Sequence, residues 1–167
     1  MSDNTSDNTS RSLLLHPERC TGCLRCELAC SFERTGQYQP SRSVIRVLPL
    51  EGHTSQAPFV CWQCREGWCM TACPVDAISI APTGARVVSA GSCVGCRLCV
   101  IACPYGTMFM DPAGHRADKC DLCGGRPACV RACPTGAIEY AGGAPDGEAL
   151  TRFAASRCVF DLKGRAG

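Results

Sequence analysis

The chain is short of the materials from which a globular core is ordinarily built. It carries only two Trp, three Tyr and five Phe among 167 residues. Its 46% hydrophobic content includes seventeen cysteines, and without them the ordinary apolar share is about 36%, low for a self-sufficient globule of this size. No apolar run reaches transmembrane length and no apolar signal segment opens the chain, which predicts no direct membrane insertion and a cytoplasmic location. Basic runs are missing too, so scattered arginines read as a solvated face and no nucleic acid is expected. No nucleophile motif, phosphate-binding glycine loop or paired general acid and base stands out, so the chain is not expected to be an enzyme by itself. Asp76, Asp111 and Asp121 fall in loops, where aspartate is a turn former.

What is abundant is cysteine. Sixteen of the seventeen form four quartets: Cys20, Cys23, Cys26 and Cys30; Cys61, Cys64, Cys69 and Cys73; Cys93, Cys96, Cys99 and Cys103; Cys120, Cys123, Cys129 and Cys133. Proline follows the last cysteine of the second, third and fourth (Pro74, Pro104, Pro134), whereas Ser31 follows Cys30. The third has the x2-x2-x3 spacing of a bacterial ferredoxin run. A tight loop can set three thiolates on three irons of a cube, and a short helix starting near the third cysteine carries the fourth thiolate to a neighbouring cube. Runs therefore come in pairs, and four runs predict four 4Fe-4S clusters with all sixteen cysteines as iron ligands. Gly22 and Gly95 are expected to let backbone amides approach the cube without an intervening side chain.

Two other uses of dense cysteine fit less well. A disulfide scaffold belongs to small exported chains. Zinc sites combine separated C-x2-C pairs, often with histidine, and none of His16, His53 and His115 lies within a quartet. Cys158, the odd cysteine, reads as a buried structural thiol. With four oxidised cubes the formal +2 becomes about −6. Clusters must then serve as the core, and loss of iron should unfold the chain.

Along the chain, residues 1–12 read as a disordered tail. Leu13 to His16 leads into the first run as a strand, Ser31 to Arg42 is a polar connection, and Val44 to Leu48 alternates as a strand. Pro58 to Val60 leads into the second run. Ala77 to Ile80 and Arg86 to Val88 flank the Pro82-Thr83-Gly84 turn as a hairpin, and Thr107 to Gly114 repeats that strand and turn. Ala137 to Tyr140 begins a last strand, 141–147 is a link, and Gly147 to Phe160 can form a short helix. The fold class is α+β, built from tandem bacterial two-cluster ferredoxin-like units. Spacing leaves open whether consecutive runs pair or the inner two and the outer two. Trp62 and Trp68 are expected to shield a cube from water, and Arg25 and Arg97 are surface residues or electrostatic tuners of a cluster.

The segments Cys64 to Cys73-Pro74-Val75-Asp76-Ala77-Ile78, Cys93 to Cys103-Pro104-Tyr105-Gly106, and Asp118-Lys119-Cys120-Asp121-Leu122-Cys123 to Cys133-Pro134-Thr135-Gly136-Ala137-Ile138 resemble four-cluster electron-transfer subunits of the dimethyl sulfoxide reductase and formate dehydrogenase type. The resemblance covers roughly 13–140. It implies that inner runs pair with each other and outer runs with each other. One cube would take Cys20, Cys23, Cys26 and Cys133, and its neighbour Cys30, Cys120, Cys123 and Cys129. The inner cubes would take Cys61, Cys64, Cys69 and Cys103, and Cys73, Cys93, Cys96 and Cys99. The implied outer unit is 13–57 with 111–140, the inner unit 58–110, and 141–167 a C-terminal extension.

The stretch Cys26-Glu27-Leu28-Ala29-Cys30-Ser31-Phe32-Glu33, with Pro40 to Val47, is similar to small iron-sulfur subunits accompanying tungsten enzymes of the aldehyde oxidoreductase family, dearomatising benzoyl-CoA reductases among them. Partner proteins of carbon monoxide dehydrogenase look similar as well. The resemblance implies a hetero-oligomer in which the chain relays single electrons between a tungstopterin subunit and a flavin subunit or free ferredoxin. A molybdopterin enzyme as partner, or a free-standing polyferredoxin, is the alternative.

Overall fold

A computed structural model describes residues 11–50, 56–111 and 114–142. Cys158, the expected helix over Gly147 to Phe160 and most of the expected tail lie outside these residues. Four short helices and eight short strands alternate: β1 (Arg11–Leu15), α1 (Arg25–Thr35), β2 (Arg46–Pro49), β3 (Gln56–Phe59), α2 (Trp68–Thr71), β4 (Ile78–Ile80), β5 (Arg86–Val88), α3 (Leu98–Ala102), β6 (Phe109–Met110), β7 (Ala117–Asp118), α4 (Ala128–Ala132) and β8 (Ile138–Gly142). Strand β1 takes in Arg11 and Ser12, the latter fully buried, so the last two residues of the expected tail are strand.

The strands form four separate antiparallel ribbons, β1 with β8, β2 with β3, β4 with β5 and β6 with β7. Three join strands that are close in sequence. The fourth spans the described fold, with Leu13 opposite Tyr140 and Leu15 opposite Ile138, and His16 extends it by donating its N–H to the Ala137 carbonyl at 2.9 Å. The helices are arranged to match: α1 packs on α4 and α2 on α3. Two-stranded ribbons of two to five residues are marginal alone, so what lies between them has to hold them.

Proline explains where the later helices stop. A residue before proline is driven out of the helical region; Cys103 and Cys133 are extended, and α3 and α4 end one residue earlier, at Ala102 and Ala132. With Ser31 in place of proline, α1 runs through Cys30 to Thr35 and stops at Gly36, whose left-handed backbone lets its N–H reach the Phe32 carbonyl at 2.7 Å. Ser31 to Thr35 is therefore helix, not a polar connection. Its extra turn stacks Phe32 on Tyr38 with ring centroids 4.7 Å apart and brings Arg34 onto Asp118 of β7. Val44 and Ile45, expected within a strand, are buried just ahead of β2.

Cysteine occupies the positions where a core normally has aliphatic side chains. Cys26, Cys30, Cys61, Cys120 and Cys129 are buried with Leu13, Val44, Ile45, Val60, Leu122 and Ile138 in one core. Ile78, Cys99, Met108 and Ala117 make a second, smaller one. Among the described residues no helix is long and apolar enough to cross a membrane.

Candidate metal centres

In each run a turning loop leads to a helix whose first turn holds the third cysteine, and the fourth lies within that helix or just after it. The turns need left-handed backbone, found at Leu24 ahead of α1, Arg97 ahead of α3 and Gly95. At Gly95 (φ 71°) an added Cβ would collide with the carbonyl oxygen of His115, and at Gly22 (φ 68°) it would come within 2.6 Å of the Gln56 side chain. The glycines thus make room for neighbouring protein, which is a different constraint from the expected approach of amides to a cube.

Two of the expected ligand sets line cavities. Cys20, Cys23, Cys26 and Cys133 line one cavity with Leu24, Val47 and Ile138. Cys73, Cys93, Cys96 and Cys99 line another with Val75, Val88 and Val94. The thiols of the other eight cysteines act on one another. Burial pushes the Cys64 thiol up to about 11, reinforced by the charges of Cys61, Cys103 and Cys69. Burial likewise raises the Cys129 thiol, reinforced by Cys30 and Cys123, and Cys120 is raised by burial with Cys61 and Cys129 acting in the same sense. Charge also acts between these sets: Cys129 senses Cys26, Cys120 senses Cys61, and Cys99 senses Cys69.

This donor set fits a polynuclear iron-sulfur cluster. None of the sixteen thiols is in a disulfide. Among the described residues no three His, Cys, Asp or Glu side chains are close enough to share one metal ion. Burial pushes the Cys26 thiol up to about 12, with Glu27, Cys20 and Cys133 adding to the rise, and a cationic occupant would offset what holds it protonated.

The fourth cysteines receive hydrogen bonds suited to thiolate. After each Cys-Pro the chain turns back, and the N–H groups of Ala77 and Ala137 donate to Cys73 Sγ and Cys133 Sγ, both at 3.2 Å. Ala117 N–H donates to Cys93 Sγ at 3.4 Å. Burial would raise Cys103 and Cys133, but the hydroxyls of Thr107 and Thr135, with nearby backbone amides, bring both thiols below the ordinary range. Sequence reading missed these groups, although Cys-Pro-x-x-Ala at 73–77 and 133–137 and Cys-Pro-x-x-Thr at 103–107 are visible there.

Other expectations divide. Trp62 is buried, 6% exposed, edge-on to Tyr105 at 6.3 Å. Trp68, the first residue of α2, is 57% exposed. Arg25 and Arg97 are exposed. Asp121 accepts the Cys123 N–H at 2.9 Å and Asp111 accepts the Gly114 N–H at 3.1 Å, as turn formers do, while Asp76 has φ 49° in a turn. Also missed were three buried polar side chains, Gln63, Arg86 and Lys119.

Residues 53–142 match the 4Fe-4S dicluster domain family and 17–35 a 4Fe-4S binding domain. The polyferredoxin-like subunit of an aliphatic sulfonate oxidoreductase from Pyrococcus furiosus is 43% identical over 85 residues, 50% of this chain and 49% of that one. A putative electron transport protein of Escherichia coli, YsaA, is 36% identical over 93 residues, 53% of this chain and 59% of its own. A tetrathionate reductase subunit of Archaeoglobus fulgidus is 34% identical over 78 residues, 47% and 38%. The chain spans about half the length of the curated relatives it matches. Among solved structures, the active site complex BamBC of benzoyl coenzyme A reductase gives a TM-score of 0.47 at 23% identity, covering 94% of this chain and 91% of that chain. With grouped free thiols, amide-to-sulfur hydrogen bonds and a family match over more than half its length, the chain belongs to the 4Fe-4S dicluster domain family.

Proposed function

We propose that this chain is the electron-transfer subunit of an oxidoreductase complex, carrying single electrons along four 4Fe-4S clusters. The observation that carries the reading is that two of the expected ligand sets, each drawn from two different runs, line cavities of their own. In order, the ligand sets are Cys20, Cys23, Cys26 and Cys133; Cys30, Cys120, Cys123 and Cys129; Cys61, Cys64, Cys69 and Cys103; and Cys73, Cys93, Cys96 and Cys99. Residues 13–57 with 111–140 then form an outer ferredoxin-like unit and 58–110 an inner one; packing of α1 on α4 and of α2 on α3 supports that division. Each bound cluster supplies one-electron redox chemistry. The protein positions the thiolates, donates hydrogen bonds that stabilise their charge, and keeps water from the buried sulfurs.

A subunit is favoured over a diffusing polyferredoxin by exposed apolar side chains beside the first and last of these sets. Leu24 is 44% exposed at one end, and Val75 and Val94 are 41% and 66% exposed at the other. Large apolar side chains at an electron entry and exit are what docked partners would cover. For the partner we favour a tungstopterin subunit of the aldehyde oxidoreductase type, with a flavin subunit or ferredoxin at the opposite end, in the cytoplasm; the likeness of the first run to the small subunits of such complexes supports this. A molybdopterin enzyme or carbon monoxide dehydrogenase is the second reading, and relatives named as subunits of other oxidoreductases favour keeping it.

Anaerobic purification of the tagged chain from its host, with iron, sulfide, tungsten, molybdenum and flavin measured beside the co-purifying chains, tests this. About sixteen irons with matched sulfide and a tungsten-bearing larger subunit is the expected result. Molybdenum would shift the partner, a solitary iron-loaded chain would favour the carrier, and zinc without sulfide would overturn electron transfer.

A further inference from the structure

Two cations are buried in the middle of the fold without a carboxylate. Lys119 is 3% exposed and Arg86 6%, and Gln63, 1% exposed, lies between them. Lys119 Nζ donates to the Arg86 carbonyl, to the Cys120 carbonyl at 3.1 Å and to Gln63 Oε1 at 3.3 Å. Three acceptors match the three N–H donors of an ammonium group. Arg86 Nη1 donates to the Gln63 carbonyl at 2.9 Å and Nη2 to the Arg65 carbonyl at 2.6 Å. Gln63 completes the network, its Nε2 donating to the Cys120 carbonyl at 2.7 Å and its Oε1 accepting the Arg86 N–H at 2.8 Å. Carbonyl oxygens satisfy N–H groups, but they bring no negative charge.

A buried cation without a counter-ion is strongly unfavourable, and none of the described ion pairs includes Lys119 or Arg86. Arg86 Nε, also buried, has no hydrogen-bond partner. It lies over Gly67, where a Cβ would stand 3.1 Å from it, and so faces the start of α2 that carries Cys69. Lys119 directly precedes Cys120 and donates to its carbonyl, and Arg86 donates to the carbonyls of Gln63 and Arg65, the two residues that flank Cys64. In the cluster reading above Cys69 belongs to one of the two central ligand sets and Cys120 to the other, while Gln63 sits between Cys61 and Cys64 of the first.

We propose that Lys119 and Arg86, held by Gln63, are the fixed counter-charges of the two central clusters and raise their reduction potentials relative to the two end clusters. This rests on the cluster reading above. A reduced cluster carries one more negative charge than an oxidised one, so a nearby cation stabilises reduction. An electron crossing from the inner pair to the outer pair then passes from one member of this cation-bearing couple to the other, the first being oxidised as the second is reduced, with no bond or proton exchanged. The network thus flattens the energetic step at the seam between the two units.

The test is an anaerobic redox titration of the intact iron-loaded complex, each cluster followed by its paramagnetic signal, with Lys119→Gln, Lys119→Arg and Gln63→Glu beside the unaltered protein. Lys119→Gln removes the charge; Gln63→Glu leaves Lys119 and neutralises it from the side. Both are expected to lower the reduced-to-oxidised ratio of two clusters about tenfold at a set potential, a 59 mV fall for one electron, with the other two moved much less. Lys119→Arg should titrate like the unaltered protein. Unmoved potentials in iron-loaded variants overturn the proposal, as does an equal shift of all four clusters or a fall in Lys119→Arg matching that of Lys119→Gln. Failure of both charge-altering variants to load iron would assign the network to assembly and overturn it too. Absence of iron and sulfide from the unaltered chain would refute the cluster reading itself, whereas loaded clusters with unmoved potentials refute only this inference.

Discussion

Replacing Gly95 with alanine should loosen one cluster out of four. The residue has φ 71°, and so does Gly36 at the end of α1, so Ala at either position bears the same left-handed strain, about 1–2 kcal/mol. Around Gly36 nothing lies within 4 Å of an added Cβ, whereas at Gly95 the Cβ collides with the His115 carbonyl oxygen. That carbonyl cannot simply swing away. His115 N–H donates to the Asp111 carbonyl at 2.9 Å and Asp111 N–H to the Arg116 carbonyl at 2.7 Å, which tie its turn across the base of β6 and β7. Overpacking a fixed site of this kind costs a further ~1–3 kcal/mol. Gly95 lines the cavity of Cys73, Cys93, Cys96 and Cys99, so the strain should be released by opening that loop. With the two variants exposed anaerobically to an iron chelator in mild denaturant, Gly95→Ala should lose its first iron about 10 to 100 times faster than Gly36→Ala. The fast phase should amount to about one quarter of the iron, since one cluster in four is affected. Equal rates, or loss of all the iron in one phase, would refute the steric argument.

The two tryptophans should behave oppositely. Trp62→Ala removes a buried ring packed against Tyr105 and should cost ~3–5 kcal/mol of stability, whereas Trp68→Ala, on an exposed ring, should stay within about 0.5 kcal/mol; denaturant unfolding of the iron-loaded protein followed by circular dichroism measures both. Cluster assembly should release protons. Burial pushes Cys26 up to about 12 and Cys64 up to about 11, so both thiols are protonated at pH 7 and must lose that proton to bind iron. Reconstitution should therefore become more favourable as pH rises from 7 towards 9, and a pH-stat should record base uptake in proportion to iron bound. Pairing of the thiols with iron without proton release would contradict the burial of these residues.

The iron-sulfur chemistry was legible in the sequence because it depends on local spacing. Loop, helix and thiol direction within one run involve about a dozen neighbouring residues, and the proline after Cys73, Cys103 and Cys133 acts on the residue next to it. The hairpin of β4 and β5 was legible for the same reason, since Pro82-Thr83-Gly84 is a turn whatever surrounds it. The consequence of Ser31 was not, because missing proline merely permits a helix; what rewards its continuation is contact with Tyr38 and Asp118, remote in chain or reached only after folding.

Tertiary structure alone decided the rest. Spacing could not say that β1 would pair with β8 across more than a hundred residues, or that α1 would meet α4, because those contacts depend on the closure of the whole chain. Nor could it separate Trp62 from Trp68, each beside a cysteine, since only folding brings Tyr105 against Trp62 and leaves Trp68 largely exposed. Arg86 reads as one of the scattered arginines of a solvated face, and nothing in the sequence marks Lys119. Only folding shows them enclosed together, with Gln63 between them and carbonyls as their sole described partners, because three segments far apart in sequence converge there.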